Sequence, residues 1–186
     1  LGEGADEDPD SVHFFRDRMA SRNAFSRAVT DGRYYYIRNF MPHRPRGRDS
    51  YYGYTVQANW RAWPTHYEAG GCNAIQSQFY ETMPTIQFFD TESDPWHVEN
   101  LADQKAHRKR MHALERDLDR WMIETRDIGL IPEPLFYDLV GEDKPHKTLY
   151  AFAQSDRFDP KRVLEVAKDA SMGDPKRVGV YLQYMR

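Results

Sequence analysis

The sequence predicts an α+β fold: a small antiparallel sheet packed by one long amphipathic helix and followed by short helices. Three observations predict it. Met111, Leu114, Leu118, Trp121 and Met122 fall at offsets 0, 3, 7, 10 and 11, which places all five on one helical stripe. Arg27-Ala-Val-Thr30 and Arg33-Tyr-Tyr-Tyr-Ile-Arg38 flank Asp31-Gly32, a pair that favours the positive φ of a hairpin turn. Ile86-Gln-Phe-Phe-Asp90 reads as a further strand directly before the helical segment, and supplies the nearest cover for its apolar stripe.

In chain order, the Gly-, Asp- and Glu-rich stretch from Leu1 to Asp10 reads as a loop or frayed end. Ser11 to Met19 mixes a few apolar residues with dense charge. It reads as a short connecting strand or helix on a solvated face. Its functional reading is that His13, Arg16 and Arg18 meet an anion in a cleft, because the planar arginine fork pairs two oxygens at once. In the hairpin, alternation puts Tyr34 and Tyr36 on one face and Tyr35 and Ile37 on the other. We read the tyrosines as sheet packing. Met41 to Asp49 carries Pro42, Pro45 and three arginines, so it reads as an irregular, solvated basic loop. Ser50 to Tyr80 reads as two helical pieces. Gly70-Gly71 ends the first, and Asn73 caps the second. Residues 43–82 thus form a helical insertion.

Asp94-Pro95 predicts the turn after the third strand. Asn100 or Asp103 is expected to cap the long helix, which should run to about Arg126, roughly 35 Å, and end at Gly129. Beyond residue 135 the pattern changes. A polar loop from Gly141 to Lys147 precedes two short helices, each opened by an Asp-Pro pair: Asp159-Pro160 and Asp174-Pro175. Two such helices resemble the start of a HEAT-like repeat array, although one pair does not make a repeat. The expected division is therefore 1–135 and 136–186.

Composition removes several classes of function. The 186 residues hold 26 Lys+Arg against 29 Asp+Glu, a net charge of −3, with no nucleic-acid recognition motif. No apolar run reaches the roughly 18 residues of a membrane span. Nucleic acid and membrane are therefore not expected partners. A single cysteine, Cys72, cannot build an internal disulfide framework, and no adjacent base or positive site marks it as a nucleophile. Among the seven histidines, His107 and His112 lie five apart, about 140° around a helix, and no zinc spacing appears. Phosphate loops and nucleophile elbows are also missing. We expect no catalytic residue and no metal ligand in the chain.

Several stretches, taken together, carry a resemblance. They are His13 with Arg16-Asp-Arg-Met19, Arg27-Ala-Val-Thr-Asp-Gly-Arg33-Tyr with Tyr36-Ile-Arg-Asn39, and Phe89-Asp-Thr-Glu-Ser-Asp-Pro95 with Glu99-Asn-Leu-Ala102. To these are added Trp121 to Asp127, Gly129 and Ile131-Pro-Glu133. Over about residues 11–135 the chain resembles the C-terminal region of the sulfatase family, in the alkaline-phosphatase-like superfamily. Tyr35 departs from it, since relatives commonly carry lysine there. The tail from Tyr150 is similar to a helical extension found in some bacterial sulfatases.

The resemblance implies a parent sulfuric ester hydrolase. In that family a formylglycine, made from Cys or Ser in a C-x-P-x-R motif, attacks the sulfate, and calcium steadies the sulfate oxygens. None of these motifs is found in this chain, and Cys72-Asn-Ala-Ile-Gln76 does not fit C-x-P-x-R, so no catalytic or metal residue is carried over from the family. The implied partners are the missing N-terminal catalytic domain and a sulfated small molecule or glycan. Both chain ends read as cuts, and the chain alone is expected to be inactive. The compartment is not legible, although such enzymes are often periplasmic or secreted. Two alternatives of other classes stand beside this one. The first is a free-standing module binding sulfated glycans or other anions through Arg16, Arg18, Arg33 and Arg44. The second is an interaction module that docks through its helical tail.

Overall fold

The computed structural model describes residues 10–19, 22–47, 51–132 and 145–173, with the single positions 135, 138 and 176. Strands β1 (Val12–Met19), β2 (Arg22–Thr30), β3 (Tyr34–Asn39) and β4 (Ile86–Asp90) form one antiparallel sheet in that order. Helices α1 (Tyr51–Val56), α2 (Ala58–Glu68) and α3 (Ala74–Ser77) lie between β3 and β4 in sequence. The long helix α4 (Arg108–Glu124) follows, then α5 (Pro145–Gln154) and α6 (Pro160–Ala170). The architecture is α+β, as the alternation and the helical stripe predict. The segment from Ser11 to Met19 is not a short connector but an eight-residue edge strand.

Register explains how the sheet meets its helices. Residues opposite one another share a face. His13 pairs with Val29, Val29 with Tyr36, and Tyr36 with Phe88. This row lies under α4. The buried α4 residues Met111, Leu114, Leu118 and Met122 join Val29, Tyr36 and Phe88 in one core. Each such side chain, fully buried, contributes about 1.5–3 kcal/mol. Trp121, the fifth stripe residue, is half-buried and stacks on the His13 ring at 5.0 Å. Val163, Leu164, Val166 and Ala167 of α6 extend the same core.

Arginines tie the elements together. Arg27, 1% exposed, reaches Asp127 beyond α4 (Nε–Oδ2 2.6 Å) and Asp17 of β1 (Nη1–Oδ1 2.8 Å). Burial alone would lower the Arg27 pKa, but the hydrogen bond and charge of Asp127, with those of Asp17, raise it above its ordinary value. A Cβ built at Gly129 would overlap the Arg27 guanidinium. Position 129 is therefore glycine because Arg27 needs the space. Arg126, at φ 52°, donates to the carbonyls of Ala153, Ser155 (3.1 Å) and Phe158 (2.6 Å), which anchors the end of α5. Arg38 donates to the Lys168 carbonyl (3.1 Å) and to Ser171 Oγ (2.9 Å) at the end of α6.

Several local expectations are corrected. Helix α4 starts at Arg108, after a single 3₁₀ turn at Lys105–His107, and not near Asn100 or Asp103. The cause is tertiary. Asn100 Oδ1 accepts from the Phe88 N–H (2.9 Å), and the Leu101 N–H donates to the Phe88 carbonyl (2.8 Å), so residues 100 and 101 are held against β4. The helix ends at Glu124, close to the expected Arg126, and Gly129 lies beyond it in a separate 3₁₀ turn at Ile128–Leu130. The β2–β3 turn is longer than a two-residue hairpin. Thr30 pairs with Tyr35, Asp31 Oδ1 accepts from the N–H groups of Arg33 and Tyr34, and Gly32 takes φ 94°. The region expected as two helices contains three. Asn73 does cap α3, exchanging side-chain and backbone hydrogen bonds with Gln76. Asp159 caps α6 as its Asp-Pro pair predicts, accepting from the N–H groups of Lys161 and Arg162. The expected division near 135 falls largely outside the described residues, and so does the second Asp-Pro pair, at 174 and 175.

Candidate functional site

Helices cover one face of the sheet. Register assigns the other face three rows: Val12, Thr30, Tyr35 and Phe89; Phe14, Ala28, Ile37 and Gln87; then Arg16, Ser26 and Asn39. Over this face folds the loop at 41–47. Its ends are held by the Met83 N–H donating to the Pro42 carbonyl (2.8 Å) and the Gly47 N–H to the Phe79 carbonyl (2.6 Å). These bonds also bring the two ends of the 43–82 segment together. Within that segment Trp63 stacks on Phe79 at 4.7 Å, and Tyr67 on Tyr80 at 5.1 Å. The segment thus carries its own aromatic cluster, and α2 and α3 bury no residue of their own.

The loop delivers Arg46 to the sheet. Its Nη2 donates to Gln87 Oε1 at 3.0 Å, and that oxygen also accepts from Asn39 Nδ2 at 3.0 Å. Arg46 Nε points at the Met83 sulfur, 3.2 Å away. Burial lowers the Arg46 pKa, and the charge of Arg16 lowers it further, with a partial offset from Tyr35. Arg16 lies on the same face of the sheet, in the row it forms with Ser26 and Asn39. Tyr35 stacks on His97 at 5.1 Å, and Phe89 stacks on the same ring at 5.0 Å. Burial pushes the Tyr35 hydroxyl pKa up. His97 holds φ 54°, an uncommon conformation outside glycine, after the turn made by Asp94. The Asp94 carboxylate accepts from the N–H groups of Val98 (2.7 Å) and Glu99 (2.8 Å).

The structure separates the three residues expected to share a cleft. Arg16 and Arg18 are exposed and lie two positions apart on β1, so they leave the same side of the strand. His13 lies on the helix side. Its Nε2 is 3.1 Å from Asp117 Oδ2, which also accepts from Ser11 Oγ at 2.7 Å. Alternation along β1 explains the split, since odd and even positions face opposite ways. Sequence reasoning missed Arg46, Gln87 and His97 as members of one surface. No local signal marks them, because only the folding of the 41–47 loop onto β4 joins them. Among the described residues no group of three or more His, Cys, Asp or Glu side chains converges. Cys72 is a half-buried free thiol. No described helix is long and apolar enough to cross a membrane.

No family model matches the chain. Comparison with curated proteins finds an ulvan-active sulfatase of Formosa agariphila, 30% identical over 141 residues. The chain is related in sequence to a sulfatase. The match takes in 72% of this chain and 22% of the relative, so the chain spans about a fifth of that protein's length.

Proposed function

We propose that this chain is the C-terminal part of a sulfatase, inactive by itself, which completes the catalytic domain and shapes its substrate cleft. The observation that carries this reading is the match to the ulvan-active sulfatase across most of this chain but a minor share of the relative. The architecture supports it. Helices pack on one side of the sheet, and the other side, partly covered by the 41–47 loop, carries Arg16, Arg18 and Arg46. Arginines suit a sulfated substrate, because the guanidinium fork donates two parallel hydrogen bonds to an oxyanion. On this reading the nucleophilic formylglycine and the calcium belong to the remainder of the protein. The chain's own residues position the substrate and move no proton. His13 serves the fold, stacked on Trp121 beside Asp117.

The test is turnover. The purified chain, assayed with an aryl sulfate in the presence of calcium, is expected to release no product above a blank. Hydrolysis that copurifies with the chain through successive columns would overturn the reading.

A further inference from the structure

We propose that the chain self-associates through the outer edge of β1, which pairs antiparallel with β1 of a second copy about a two-fold axis at Phe15 and joins the two sheets into one. The dimer does not depend on the sulfatase reading.

The two edges of the sheet differ. At the β4 edge, Asn100 Oδ1 accepts from the Phe88 N–H (2.9 Å), and the Leu101 N–H donates to the Phe88 carbonyl (2.8 Å). Asn100 Nδ2 donates to the Ile86 carbonyl (3.1 Å) on the same side. That edge is closed. The described residues place no such cover over β1 between Val12 and Asp17. Strand β1 bonds to β2 along its inner side, so its outer N–H and C=O groups are a template for another strand. Val12 and Phe14 are each 44% exposed, and Phe15 is 70% exposed. Alternation puts Val12 and Phe14 on the open face and Phe15 on the helix side. A strand that stays single at an edge is commonly guarded by proline or by charge. The run Val12-His13-Phe14-Phe15 holds no proline, lysine or acid.

The order of residues along β1 selects a second copy as the occupant. Centred on Phe15, that ring meets the partner's Phe15, and Phe14 meets the partner's Arg16. The first is an aromatic cross-strand pair, and the second sets a cation beside a ring. His13 meets the partner's Asp17, a base opposite an acid. Both keep their bonds to Asp117 and Arg27, so this pair adds only a weak attraction. Centred on Arg16, the same strand would set two arginines directly opposite each other, which destabilises. Centred on Phe14, it would leave Asp17 and Arg18 opposite residues that lie beyond β1. The centre at Phe15 therefore uses the strand most fully and separates its like charges. One strand edge and a few apolar side chains make a small interface, so the expected Kd is about 1 µM to 1 mM.

The experiment is sedimentation equilibrium of the 186-residue chain from about 10 µM to 1 mM. The expected result is a monomer–dimer equilibrium, with twice the chain mass reached as concentration rises. F15E sets two carboxylates opposite each other at the axis and should weaken association about tenfold or more. Phe15 is largely exposed, so F15E should leave the far-ultraviolet circular dichroism unchanged. A crosslink tests the register without relying on that variant. In a C72S background, F15C should form an intermolecular disulfide on mild oxidation, because residues paired at the axis have Cα atoms about 4.5–5.5 Å apart. F14C should not, since its two copies lie two positions out of register, about 8 Å apart. A chain that stays monomeric at about 1 mM would overturn the dimer. So would F14C crosslinking as fast as F15C, or F15E associating as tightly as the parent chain with its fold intact. None of these failures touches the sulfatase reading, which turnover decides.

Discussion

Replacing Arg27 by methionine should be among the most damaging single changes in this chain. Methionine keeps an apolar stem over Phe15 and Phe25, where the guanidinium carbon now sits 6.0 and 5.6 Å from the ring centres. It removes the charge between Asp17 and Asp127. Those two carboxylates are not equivalent. Asp17 is 41% exposed, so water screens it and its share is about 0–1 kcal/mol. Asp127 is 12% exposed and keeps only the Gly129 N–H at 3.0 Å to replace two guanidinium hydrogen bonds. Breaking a buried pair from one side costs about 3–5 kcal/mol. The retained N–H places the expected loss near the lower end, about 3 kcal/mol. For a chain of this size that corresponds to a fall in Tm of about 6–12 °C. Urea unfolding followed by tryptophan fluorescence measures it. The double variant R27M/D127N should recover part of the loss, since it removes the orphaned charge. R120A, which breaks an exposed pair with Asp117 on one helix turn, should cost about 0.5 kcal/mol or less. If R27M unfolds within about 1 kcal/mol of the parent chain, the clamp does not hold β1, β2 and the end of α4 together, and the reasoning fails.

Other consequences follow from the same packing. Leu118→Ala, at 1% exposure beneath the sheet, should lose about 2–5 kcal/mol in the same urea assay. Asp159→Ala removes two hydrogen bonds at the start of α6 and should cost about 1 kcal/mol, readable as a lower urea midpoint. Glu115 gives a dependence on pH. Burial raises its pKa, but the hydrogen bond from His112 and the charge of Lys168 outweigh burial and hold it below the ordinary carboxylate value. A group with a depressed folded pKa stabilises the fold above its unfolded pKa, about 4.3, and the contribution disappears as pH falls through the folded value. Stability should therefore decline on acidification below that range, and Glu115→Gln should flatten this limb in acid titrations followed by near-ultraviolet circular dichroism.

The legible part of the fold is the part written in local periodicity. The stripe from Met111 to Met122 needs only a 3.6-residue repeat, and four of its five members are buried. Asp159-Pro160 announces α6 because the cap and the fixed proline φ act within one turn. The start of α4 was not legible, since Asn100 looks like a cap and is instead recruited by Phe88, twelve positions away. Gly129 looked like a helix terminator, and its actual reason is Arg27, about a hundred positions earlier in the chain. The candidate site shows the same limit. Arg16 and Arg18 could be picked out as arginines on a strand. Arg46 could not be joined to them, because its position depends on two backbone hydrogen bonds that close a loop over a sheet face.

The most direct test of the central claim is the coding DNA upstream of Leu1. The account predicts that the reading frame continues upstream and encodes a Cys- or Ser-x-Pro-x-Arg motif, the source of the formylglycine that this chain does not contain. An upstream frame of full catalytic-domain length without that motif would contradict the claim that the chain is part of a working sulfatase.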